Sequence, residues 1–129
     1  MIPAGVTNPQ PSLKVVIFDD VVAARGEQFH IPGCEVAVFP HADDAVVEYL
    51  RGRYDVVFMD YAMGPGRKDG ATAVGELRAG GCRAKIIGIS SDPVANAAMQ
   101  AAGANESLGS KSHLRSYLVH IGAKQLAKS

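Results

Sequence analysis

Short apolar runs recur along the chain at intervals that leave room for one helix between each pair. They cover residues 13–18 (LKVVIF), 34–39 (CEVAVF), 55–59 (DVVFM) and 84–89 (AKIIGI), with a weaker fifth at 106–109 (ESLG). Three of the five hold unbroken, mostly β-branched apolar stretches instead of alternating with polar residues. That is the signature of parallel strands covered on both faces.

The gaps read as helices. ADDAVVEYL opens on Asp43 or Asp44 and puts Val46, Tyr49 and Leu50 on one face. DGATAVGELRAGG spaces Ala73, Val74 and Leu77 helically and stops at a glycine pair. SDPVANAAMQAAG has Ser91 or Asp92 as a cap, Pro93 in the first turn and Gly103 as terminator. From Ser112 onward, Leu114, Tyr117, Leu118 and Ile121 form an i, i+3, i+4, i+7 stripe suited to core packing. Between Asp20 and Cys34 only VVAARGEQFHIPG remains, which predicts a first helix of about two or three turns, shorter than the others. Strand alternating with helix throughout predicts an α/β fold, one doubly wound parallel sheet between two helix layers with right-handed crossovers. Residues 1–12, MIPAGVTNPQPS, hold three prolines and read as a flexible arm before a single domain at 13–129.

Composition narrows the classes. Thirteen basic residues balance thirteen acidic ones, so no net charge draws the chain to nucleic acid or a membrane surface. No apolar run reaches the roughly 18 residues that would span a bilayer, and the amino terminus lacks the basic-then-apolar pattern of a signal peptide. Cys34 and Cys82 fit neither a disulfide framework nor a Cys-x-x-Cys pair, and read as reduced thiols of a cytoplasmic protein. His30, His41, His113 and His120 show no close metal-ligand spacing, and Arg67 and Lys68 read as solvated.

In a sheet of this kind, ligands collect at the carboxyl ends of the strands. Asp19 and Asp20 close the first run, Asp60 the third, Ser90 and Ser91 the fourth, and Lys111 follows the fifth. Neighbouring carboxylates repel, and a hard divalent cation relieves that repulsion; magnesium suits one or two carboxylates plus waters. Such a cation could hold one oxygen of a transferring phosphoryl group while Ser90 hydrogen-bonds a second and Lys111 neutralises a third. Asp60 would then be the nucleophile, and the glycine-rich turn after it would leave the Ala62 carbonyl free as a metal ligand.

With FDD closing the first strand, MDYAM after the third, IGIS closing the fourth and SK after the fifth, the chain resembles the receiver domain of two-component response regulators. The resemblance covers about residues 13–128. It implies a flavodoxin-like sheet of order 2-1-3-4-5, with Asp60 phosphorylated by a sensor histidine kinase or histidine phosphotransfer protein. It also implies Mg2+ at Asp19 and Asp20, Asp20 being the more direct ligand, Ser90 as the switch hydroxyl and Lys111 as the phosphoryl partner. No enzyme acting on an external substrate is expected, only self-phosphorylation from a phosphodonor and autodephosphorylation.

The chain departs from the family at several places. Ser112 stands where a proline joined through a cis peptide usually follows the lysine, and Leu108 replaces a common aromatic. The proline after Asp60 comes one place late, as Gly64-Pro65, with two extra residues before Gly70. These departures keep an alternative open: a phosphorylation-independent protein-interaction module on the same fold. A flavin-binding relative would want a Ser/Thr/Gly-rich loop where DDVVA stands. An aspartyl phosphohydrolase would want a second acid two residues past its nucleophile. Asp92 reads equally as a helix cap or as a neighbour of the attacking water. The length leaves no room for a DNA-binding output module, so a downstream protein target is expected, and a homodimer through the last two helices stays open.

Overall fold

The computed structural model describes residues 12–128, so the arm expected at 1–12 lies outside the described residues except for Ser12. Five parallel strands, β1 (Leu13–Phe18), β2 (Cys34–Phe39), β3 (Val56–Asp60), β4 (Lys85–Ile89) and β5 (Glu106–Leu108), form one sheet in the order β2-β1-β3-β4-β5. Five helices connect or follow them: α1 (Asp20–Ala24), α2 (Ala45–Gly52), α3 (Gly70–Ala79), α4 (Pro93–Ala102) and α5 (Leu114–Leu126). A short 3-10 turn, Lys111–His113, leads into α5.

Side chains alternate across a strand, and here both sets are buried. Val16, Phe18, Val57, Met59 and Ile86 pack against Ala45 of α2, Ala73, Val74 and Leu77 of α3, and Met99 of α4. Val15, Ile17, Val56, Phe58, Ile87 and Ile89 pack on the other face against Val22 of α1 and Leu114 and Leu118 of α5. All five residues of β3 are buried, which explains its unbroken apolar run. The expected doubly wound α/β sheet is therefore present, with α2, α3 and α4 on one face and α1 and α5 on the other.

Three details differ from expectation. Helix α1 has five residues, under one and a half turns at 3.6 residues per turn, instead of two or three. Gly26 at φ 60° ends it, because glycine adopts the left-handed conformation without steric cost. The chain then runs irregularly, with Ile31 buried and Phe29 half-buried against the α5-side core. On α2 the inward stripe is Ala45, Val46 and Tyr49, whereas Leu50 and Val47 are 59% and 53% exposed. A stripe centred on Ala45 and Tyr49 leaves Leu50, one residue and 100° further round, facing out. Finally, β3 is shifted one residue from the expected 55–59: Asp60 belongs to the strand, and Asp55 lies before it, accepting from the Lys14 amide (2.9 Å).

Candidate functional site

Register brings the acidic residues together. In the β1–β3 ladder Phe18 lies beside Met59, so the next residues, Asp19 and Asp60, stand side by side at the carboxyl end of the sheet. Asp19 has extended backbone geometry (φ −162°) and caps α1, its Oδ1 accepting from the amides of Val21 (2.9 Å) and Val22 (3.0 Å). That double acceptance fixes the carboxylate and supplies partners to two of the helix's orphan donors. Asp20 is the first residue of α1, and its Oδ1 is enclosed with no hydrogen-bond donor among the described residues. One oxygen from each of Asp19, Asp20 and Asp60 lies within 4.8 Å of the others.

Lys111 reaches into this cluster. Its Nζ donates to Asp60 Oδ1 (3.3 Å) and forms an ion pair with Asp19 Oδ2 (3.2 Å). Asp60 is only 5% exposed, and burial, followed by the charge of Asp19, pushes its pKa up to about 6 against the pull of Lys111. Burial works to lower the Lys111 pKa, but Asp19 and Asp60 together outweigh it and hold the ammonium above its usual range. Three carboxylates thus face one ammonium, and two negative charges are uncompensated whenever all are ionised. With Asp20 Oδ1 enclosed and lacking a donor, this all-oxygen set fits a hard divalent cation.

Ser90 follows β4, its amide donating to Leu108 O (3.2 Å), and its Oγ accepts from the Asp92 amide (3.0 Å). It lines a cavity of about 220 Å³ with Ile89, Ser91, Ser110 and Lys111, next to the carboxylate cluster that Lys111 enters. Lys111 is the residue common to both. The 3-10 turn that carries it is capped by Ser110, whose Oγ accepts from the Ser112 amide (3.1 Å). No cis peptide occurs among the described residues, so a serine-capped turn presents Lys111 here. Ala62, two residues past Asp60, is exposed in the turn, and nothing among the described residues donates to its carbonyl. Asp92 is the cap of α4, its Oδ1 accepting from the Val94 amide (2.9 Å).

Sequence reasoning missed two groups near the site. Asn96 on α4 donates through Nδ2 to the Ser90 carbonyl (2.8 Å), fixing the backbone at the end of β4. Arg67 and Lys68 are engaged, not merely solvated: Arg67 Nη1 donates to Asp43 Oδ2 (2.9 Å), and Lys68 Nζ donates to Glu76 Oε1 (2.9 Å) and to the Asp43 carbonyl (3.1 Å). Their partners lie 8 to 25 residues away, beyond any helical or strand period.

The fold has counterparts among solved structures. The receiver domain of sensor histidine kinase PA1611 from Pseudomonas aeruginosa, solved with a magnesium ion coordinated in its active-site cleft, is 26% identical. That match covers 90% of this chain and 98% of that one, with a TM-score of 0.66. A LuxR-family two-component response regulator from Aurantimonas matches at 22% identity over 90% of this chain and 86% of its own (TM-score 0.69). Vibrio cholerae chemotaxis protein CheY4 matches at 20% over 88% and 98% (TM-score 0.64). The fold is that of a response-regulator receiver domain. No protein-family model and no curated protein matches the sequence. Within the receiver fold, Leu108 is half-buried against the α5-side core, where the common aromatic was absent from the sequence. No helix among the described residues is long and apolar enough to cross a membrane.

Proposed function

We propose that residues 13–129 are a phosphorylation-dependent switch in which Asp60 accepts a phosphoryl group, with residues 1–12 as a preceding arm. The observation that carries this reading is the triad of buried Asp19 and Asp60 with half-buried Asp20, and a single ammonium, Lys111, paired to the two buried ones. Asp19, Asp20, Asp60 and the Ala62 carbonyl would hold Mg2+. When bound, Mg2+ offsets the charge of the carboxylates and of the incoming phosphoryl oxygens. A carboxylate oxygen of Asp60 attacks phosphorus, and the bond from phosphorus to the donor, a phosphohistidine nitrogen, breaks with its electron pair leaving on the imidazole. Asp60 must be ionised to attack, so its raised pKa still leaves it competent near neutrality. Lys111 then exchanges an aspartate oxygen for a phosphoryl oxygen, and Ser90 supplies its hydroxyl to another.

The donor would be a sensor histidine kinase or a histidine phosphotransfer protein, and the readout a change in affinity for a downstream protein, in the cytoplasm. The test is phosphoryl incorporation from a small acyl phosphate, followed by intact mass, with magnesium and after chelation. Incorporation that requires magnesium and disappears in Asp60→Asn supports the proposal. Magnesium binding with no incorporation from either a small donor or a kinase would instead favour the interaction-module reading, which Leu108 and Ser112 motivate.

A further inference from the structure

The nine-residue connection between Asp60 and Gly70 carries the Ala62 carbonyl, yet little of it is tied to the body of the protein. Met63 is buried, and the Gly70 amide donates to the Tyr61 carbonyl (2.7 Å), closing the base of the loop. Within the loop only the Arg67 amide to the Gly64 carbonyl (3.2 Å) adds a backbone bond, and Gly64 and Gly66 sit at φ 110° and 76°. Exposed, glycine-rich backbone of this kind opens locally at low cost unless something holds it.

Asp43 holds it. This residue lies between β2 and α2, with its side chain 27% exposed, and grips two successive residues of the loop. Its Oδ2 accepts from Arg67 Nη1 (2.9 Å) and its Oδ1 from the Lys68 amide (3.1 Å), while its own carbonyl accepts from Lys68 Nζ (3.1 Å). Lys68 continues to Glu76 on α3, so three segments meet: the β2–α2 connection, the loop and α3. The bond to the Lys68 amide, first, and then Arg67 hold the Asp43 carboxyl below its usual range, as befits an ionised acceptor. The loop is therefore held by an acidic residue outside it.

We propose that Asp43 is a positioning residue for the metal site. By clamping Arg67 and Lys68 it restricts the loop that presents the Ala62 carbonyl, and so raises affinity for the divalent cation. The inference rests on the proposed magnesium site. Groups bonded directly to metal ligands commonly shift affinity by about 10–100-fold, and Asp43, which acts through the loop between Ala62 and Arg67, belongs at the low end of that range.

The test is magnesium affinity by calorimetry on the unphosphorylated chain, at a temperature where every variant is folded. Asp43→Ala should bind magnesium about tenfold more weakly. Asp43→Asn, which keeps an oxygen for the Lys68 amide, should fall between it and wild type and serves if the alanine variant folds poorly. Exchange of the Arg67 amide, which is bonded to the Gly64 carbonyl, should speed up in parallel. Tyr117→Phe, which removes a 2.7 Å hydrogen bond to Glu106 away from the carboxylates, should lower stability without changing magnesium affinity. Wild-type affinity in both Asp43 variants, with wild-type binding intact, would overturn the clamp while leaving the metal site standing. Failure of the wild-type chain itself to bind magnesium would remove the site and the clamp together.

Discussion

Asp60 is a residue whose usefulness opposes stability. Its folded pKa, about 6, lies above the ordinary value of 3.8, so folding favours its protonated form. The stability consequence has a definite sign. Below about pH 4 the carboxyl is neutral in both states and costs nothing; between about 4 and 6 the unfolded chain has lost the proton while the folded one keeps it. Stability therefore falls as pH rises through this window, by about 3 kcal/mol for a shift of this size. Without magnesium, Asp60→Asn should be more stable than wild type at pH 7, and the difference should vanish towards pH 4. Urea denaturation at several pH values, with chelator present, measures this directly. A pH-independent difference would mean that Asp60 is not held as the structure implies.

At the scale of elements, the site depends on how closely α3 approaches β3. A Cβ added at Gly70 would lie 2.5 Å from the Asp60 carbonyl oxygen and 2.7 Å from Met99 Sδ. The backbone oxygen cannot move without displacing the end of β3. Gly70→Ala should cost about 1–3 kcal/mol, as overpacking does, and should weaken phosphoryl acceptance at Asp60. Denaturant midpoints and incorporation rates check the two halves separately. Asp92→Ala, which removes the α4 cap, should cost about 1 kcal/mol. A phosphoryl lifetime altered at the same time would give Asp92 the second role that its position two residues after Ser90 raised.

The elements also show what sequence makes visible. β1, β3 and β4 were legible because doubly covered parallel strands need continuous apolar runs, and α3, α4 and α5 because their apolar spacing and caps agree. β5 was legible only weakly because it is three half-buried residues at an edge. Asp19, Asp20, Asp60 and Lys111 could be placed at one rim because strand ends in a parallel sheet share an edge. Helix α1 was overestimated because Phe29 and Ile31 supply apolar positions that an irregular segment uses equally well. Leu50 was misassigned because two overlapping stripes fit α2, and only packing against α3 chooses between them. The Asp43 clamp was invisible for a different reason: it joins two loops, and loops carry no periodicity from which contact could be inferred.

For the whole molecule, the concentrated negative charge at one end of the sheet would link the proposed metal binding to folding. A ligand that binds only the folded state stabilises it by mass action, about 2.7 kcal/mol at a hundred times its Kd. Magnesium should therefore raise the unfolding free energy of the wild-type chain by about that amount, and Asp20→Asn should blunt the response. Scanning calorimetry across a magnesium series makes the comparison. Equal responses from both proteins would place the cation somewhere other than the triad. The position of the phosphate on the chain is the decisive measurement. After incubation with magnesium and a small acyl phosphate, borohydride reduction converts an aspartyl phosphate to homoserine, which peptide mass mapping locates. Homoserine is expected at position 60 alone. Homoserine elsewhere, or unmodified Asp60 in a folded chain that binds magnesium and has been offered both a small donor and a kinase, would contradict it.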